Sequence, residues 1–243
     1  MGAVINYAVK SGLVIARNRC RRMLRVYTLG ELMADRAKKP PPREPADLDL
    51  LTMAVVKIPH MLENIAVARR ALELEKQYGG LEDIEIYRAH SEGRLMHIRL
   101  GSYTQPITSM AAIQCRVVLE FLGLGTSKKE PYRLAARASR ESGDIGIEDF
   151  ANVRGEPLER MTPEEALKLV PNPVRAELAW VTTIHFANQR LAHATDDYRL
   201  GGRPVRPHLY NAFRTVPMLA QQAFEERRGS LVGRAVYSAP ERR

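Results

Sequence analysis

The sequence predicts a mainly α-helical fold, a bundle of about five main helices with one small β-hairpin and a basic N-terminal arm. Three observations predict it. Long stretches place apolar residues three and four apart, as a helix with one buried face requires. Helix-start signals precede several of these stretches: Asn172 stands before Pro173, and Thr162-Pro-Glu-Glu165 reads as a capping box. Only Ile84–Tyr87 and Met96–Leu100 alternate apolar with polar residues, across a turn at His90–Gly93, so a single hairpin is expected. With 45% hydrophobic residues the chain can bury a proper core, and with 6% aromatics that core must be packed largely by aliphatic side chains and Met.

Residues 1–37 form the basic arm, expected as one or two helices interrupted near Gly30, with Arg17, Arg19, Arg21, Arg22 and Arg25 as candidate nucleic-acid contacts. Ten Lys and Arg stand against two acids in residues 1–43, which leaves +8 of the total charge of +9 there and +1 for the remaining 200 residues. Electrostatic attraction to phosphate therefore belongs to the arm, and the basic pI implies no footprint over the whole domain. Three readings of the arm stand open: it binds nucleic acid or an acidic surface, it docks as a helix on the body or a second copy, or translation begins later at Met23, Met33 or Met53.

Residues 38–46 are a proline-rich linker, since consecutive prolines favour extended geometry and cannot continue a helix. The bundle domain spans 47–229, and 230–243 is a fraying tail. Asp47 or Asp49 caps a long helix to Tyr78, whose apolar face includes Leu51, Val55, Ile58, Leu62, Ile65 and Leu72. Pro59 predicts a kink or break near Ile58. Pro106 opens a second helix that Gly123 and Gly125 stop, with Cys115 inside it as a small core residue.

Residues 124–161 are loop-rich. Gly123–Lys129 has the flavour of a phosphate loop but lacks the Gly-Lys-Ser/Thr ending and follows a helix, so it is read as a helix stop. Asp144-Ile-Gly-Ile-Glu-Asp149 is read as a solvated turn rather than a metal site. A short helix from Thr162 to about Leu169, the central helix Pro173–Thr195, and a last helix His208–Arg227 kinked at Pro217 complete the order.

No run approaches the roughly 18–20 apolar residues of a membrane helix, and no secretory signal opens the chain. Two cysteines, Cys20 and Cys115, make no disulfide framework and no zinc spacing. A reduced, cytoplasmic setting is expected, with no membrane partner, no cofactor and no metal.

The chemistry concentrates on the central helix. His185, Asn188, Gln189 and His193 lie at i, i+3, i+4 and i+8, one face of an α-helix, and polar groups aligned on a half-buried face must find partners or do chemistry. His185 and His193 are two turns apart, about 12 Å, which is too far for one ion.

Asn188-Gln-Arg-Leu-Ala-His193, late in a long helix, resembles the signature helix of HEPN-superfamily domains, nearest the abortive-infection and uncharacterised bacterial branches. Gln114-Cys-Arg-Val-Val-Leu-Glu-Phe-Leu122 is similar to their earlier core helix. The resemblance implies an all-α bundle of bacterial or phage defence or toxin type, often a metal-independent ribonuclease working across a dimer. It implies His193 as general acid/base, Arg190 or Arg116 on phosphate, and Asn188 holding the geometry. One departure is informative: Asn188 occupies the place five residues before His193 where the family carries Arg. Partners implied are RNA and a second copy through the 173–195 helix. Two alternatives remain beside the ribonuclease: a non-catalytic helical dimerisation or protein-interaction module, and nucleic-acid binding through the arm alone.

Overall fold

Asp47–Tyr78 runs as one 32-residue helix in the computed structural model of the chain. Its start, α1 (Asp47–Thr52), passes through a π-turn at Met53–Lys57 into α2 (Ile58–Tyr78). The structure describes residues 45–89, 93–127, 130, 132–137, 139–141, 143–190 and 204–229, with backbone alone at 7–10, 13–16, 26–28, 189 and 190.

Pro59 explains the π-turn. It has no N–H for the carbonyl four residues back, and its ring presses on that carbonyl. The wider turn just before it lets the Ile58 N–H bond to Met53 O, five residues back, so the helix continues past the proline where a kink or a break was expected. The extra residue also shifts which side faces inward. Ala54, Ile58, Ile65, Ala68, Ala71 and Leu72 are buried, whereas Leu51 and Val55, assigned by spacing to the buried face, are exposed. By length and composition alone this helix is long and apolar enough to cross a bilayer, and 17% of its most apolar stretch is buried.

Gly79, at φ +86°, ends α2. The expected hairpin follows: β4 (Asp83–Tyr87) pairs antiparallel with β5 (Arg94–Arg99), with a register shift at Ile86/Tyr87. Here β1, β2 and β3 denote Tyr7–Lys10, Leu13–Ala16 and Val26–Thr28, an antiparallel sheet where helices had been expected. The β-branched Val9, Val14, Ile15 and Val26 suit strands. Contacts divide the chain into one unit of Met1–Glu44 with Glu141–Gly143 and another of Pro45–Arg140 with Asp144–Arg243.

Strand β5 runs without a loop into α3 (Leu100–Phe121), which begins six residues before Pro106 rather than at it. Gly101 permits this junction: its N–H bonds to Gly80 O at 2.8 Å, and a Cβ there would meet that same oxygen at 2.8 Å. After α3, Gly123 at φ +93° turns the chain into a second small hairpin, β6 (Leu124–Thr126) with β7 (Leu134–Ala136), which the sequence did not reveal.

The capping box at Thr162 and Glu165 is present on α4 (Pro163–Lys168), with the Thr162 hydroxyl accepting from Glu165 N and Glu165 accepting from Thr162 N. Asn172 caps α5 (Pro173–His185), accepting from Arg175 N at 3.1 Å. Last comes α6 (Arg206–Ala220), with Pro217 inside it and a π-turn at Gln221–Glu226 after it. Counting α1 and α2 as one, five helices among the described residues make a mainly α fold.

Helix α3 packs against α2, α5 and α6, and α5 against α6. Phe121, Phe150 and Phe224 meet edge to face with centroids 4.9–5.8 Å apart, joining the end of α3 to the π-turn after α6. Two polar ties fix α6 to α2: Arg206 pairs with the buried Glu75, and the Tyr210 hydroxyl donates to Glu73.

Candidate functional site

The central helix does not keep α-helical geometry to its end. α5 stops at His185, and Phe186–Arg190 form a π-turn. Just upstream Thr183 donates its hydroxyl back to Ala179 O at 2.8 Å, a back-bond that loosens helices. A π-turn advances each residue less around the axis, so spacing of three, four and eight no longer defines one face. Among the described side chains, His185 and Asn188 are therefore not set apart as they would be on a regular α-helix.

His185 is half-buried, its ring 6.1 Å from that of Tyr132 and inclined at 54°. Asn188 is half-buried within the π-turn, and Gln189 and Arg190 contribute its backbone. His193 lies outside the described residues, as do Arg17, Arg19, Arg21, Arg22 and Arg25. Along α5, Trp180 to Ile184 are buried in the chain's own core, while Val174 and Leu178 near its start are exposed. Leu178 lies at the surface although it stands three and six residues before the buried Val181 and Ile184.

Arg116 stands on α3, the helix against which the π-turn packs. Its Nε donates to Glu120 Oε1 at 2.9 Å. Arg137 donates to the other oxygen of Glu120 at 2.8 Å, so this carboxylate holds two guanidinium groups. Any phosphate approaching Arg116 competes with Glu120 for it. Cys115, one residue earlier, is fully buried, and burial pushes its thiol well above the ordinary range, which keeps it from acting as a thiolate nucleophile.

A larger ionic assembly surrounds Glu148. Arg140 donates Nε to Glu148 Oε1 at 2.7 Å and Nη2 to Oε2 at 2.9 Å, and Arg160 donates Nε to Oε1 at 2.6 Å. Burial alone pushes the Glu148 carboxyl up. Hydrogen bonds from Arg140, its own backbone and Arg160, with the Arg140 charge, outweigh that and bring it down to about 2. This assembly corrects the reading of residues 144–149 as a solvated turn: Ile147 is buried, and Glu148 is shared by two arginines. Sequence gives one hint, Arg133, Arg137 and Arg140 at spacings of four and three. Their partners Glu177, Glu120 and Glu148 lie up to 44 positions away. Among the described residues no group of three His, Cys, Asp or Glu is placed to hold a metal ion.

Compared with protein-family models, curated proteins and solved structures, the chain matches none.

Proposed function

We propose that this chain is an α-helical interaction module that works by association rather than by catalysis. The observation that carries the reading is the row of solvent-facing Leu48, Leu51, Val55 and Val56 on the first helix. Large apolar side chains scattered singly over a surface need no explanation, but several within three turns of one helix mark an interaction surface. The polar groups of the central region point the same way. Arg116 and Arg137 are both engaged by Glu120, and Arg140 and Arg160 by Glu148, so these guanidinium groups serve the fold first.

A second reading, a HEPN-like metal-independent ribonuclease of bacterial defence or toxin type, is favoured by one observation. The π-turn three residues before His193 packs against α3, the helix that carries Arg116. In that reading His193 moves protons and Arg116 or Arg190 meets phosphate. RNA incubated with the full chain and with its His193→Ala variant separates the two. The association reading expects no cleavage by either; cleavage that His193→Ala abolishes overturns it in favour of the ribonuclease.

A further inference from the structure

The first helix carries an apolar face that the bundle leaves uncovered, and a groove lies next to it. Leu48, Leu51 and Val55, at i, i+3 and i+7, are 71%, 57% and 42% exposed. The groove, about 230 Å³, is lined by Leu50, Leu51, Ala54, Phe150, Val153 and Arg228 among others. It falls below the roughly 300 Å³ at which sites for drug-sized molecules begin. Apolar side chains of a protein fit it better.

One group at the groove is unmatched. Arg228 Nε is buried and has no hydrogen-bond partner, while its guanidinium lies over the Phe224 ring, 5.1 Å from the centroid. Arg228 as a whole is only half-buried, so a carboxylate from outside can pair with the accessible part of a guanidinium whose Nε has no acceptor of its own. The groove thus calls for an apolar side chain with an acid beside it. The same helix offers that pairing: Leu48 is flanked by Asp47 and Asp49, both exposed in the first turn, and neither carboxylate is in an ion pair among the described residues.

We infer that this face pairs two copies of the chain, Leu48 of each copy entering the groove of the other while Asp47 or Asp49 meets its Arg228. The inference rests on the association reading and names its partner. A surface that carries knob and hole within one helical turn is self-complementary, and a two-fold axis beside Leu51 satisfies both halves at once. A lipid bilayer is the competing occupant. The acids beside Leu48 are repelled by anionic lipid, and the opposite face of the helix (Ile58, Ile65, Ala68 and Leu72) is committed to the core. With only a few side chains on each side, the contact falls in the small-interface class below about 1,200 Å² and is weak and concentration-dependent.

Sedimentation velocity of the full chain over a roughly hundred-fold concentration range tests it. The expected result is a shift from monomer to dimer. Leu48→Glu, a change at an exposed position that leaves the circular dichroism intact, should weaken pairing at least ten-fold. Arg228→Glu should weaken it too, and adding Asp47→Arg and Asp49→Arg in the same chain should restore it. A strict monomer, or a dimer indifferent to Leu48→Glu, overturns the inference. So does failure of the charge exchange to restore pairing, or saturable co-sedimentation with phosphatidylcholine–phosphatidylglycerol vesicles that Leu48→Glu abolishes. A dimer lost in Leu178→Glu but kept in Leu48→Glu would sink this interface and leave the association reading standing. A monomer that cleaves RNA through His193 would sink both.

Discussion

Arg140 closes the end of α3 and is held there by Glu148. Its Nη1 and Nη2 each donate at 2.8 Å, to the carbonyls of Glu120 and Phe121, while Glu148 takes two further hydrogen bonds from the same guanidinium. The last carbonyls of a helix have no partner within it, and a cation there also opposes the negative end of the helix dipole. With its side chain only 10% exposed, Arg140 ties Glu148, in the short turn Ile147–Asp149, to the end of α3.

Removing Arg140 should therefore be costly. Arg140→Ala leaves Glu148 half-buried with Arg160 as its cation, and removes a donor from the Phe121 carbonyl and from the Glu120 carbonyl, which keeps the Gly123 N–H at 3.0 Å. The expected loss is roughly 2–4 kcal/mol, toward the range for breaking a buried pair. Urea unfolding followed by circular dichroism measures it, and a loss below about 0.5 kcal/mol would show that the assembly is ornamental.

Gly146 gives an independent handle on the same contact. Its φ of −123° suits any residue, so strain is not the issue. A Cβ there would come within 2.1–2.2 Å of the Arg140 guanidinium, which must then move. Gly146→Ala should destabilise about as much as Arg140→Ala, and the double variant should lose little more than either single one, because both delete the same interaction. Additive losses would mean that Gly146 matters for another reason.

These contacts mark the limit of what the residues announce. Helix starts at Thr162 and Asn172 are written locally, as a side-chain acceptor followed by a helical run, and they stand in the structure. The uncovered face of the first helix was not legible, because Leu48 to Ile58 is apolar nearly all round and Pro59 inserts a π-turn that resets the inward side. Period arithmetic on the central helix assumes one register, and Phe186–Arg190 leave it; His193 lies outside the described residues. The partners of Glu148, Arg140 and Arg160, stand 8 and 12 positions away across irregular chain, and charge spacing alone does not pair them.

Acid should unfold the protein partly through Glu148. Its folded carboxyl titrates at about 2, below the ordinary value near 4.3. Its contribution to stability is thus complete above about pH 5 and is lost as the pH falls toward 2. Glu225 works with the opposite sign. Burial raises its carboxyl, Arg228 opposes that, and Glu226 adds to it, so holding it ionised costs stability at neutral pH, and the cost is relieved as the pH falls through its folded value. Glu148→Gln should lower stability at pH 7 and flatten its decline below pH 5; Glu225→Gln should raise stability at pH 7. Thermal unfolding midpoints from pH 2.5 to 8 test both signs.

The single tryptophan reports on the seam between α5 and α6. Trp180 is fully buried, and its Nε1–H donates to Thr215 Oγ1 at 2.8 Å; the Thr215 hydroxyl in turn donates to Asn211 O at 2.8 Å. Thr215→Val keeps the shape and removes the acceptor, leaving an indole N–H in a dry core at a cost of about 1–3 kcal/mol. Thr215→Ser keeps the hydroxyl and loses one methyl, so it should cost about 1 kcal/mol through packing alone. Trp180 fluorescence during urea unfolding reads both variants from the residue concerned. If Val proves no worse than Ser, the hydrogen bond contributes nothing and packing alone joins the two helices.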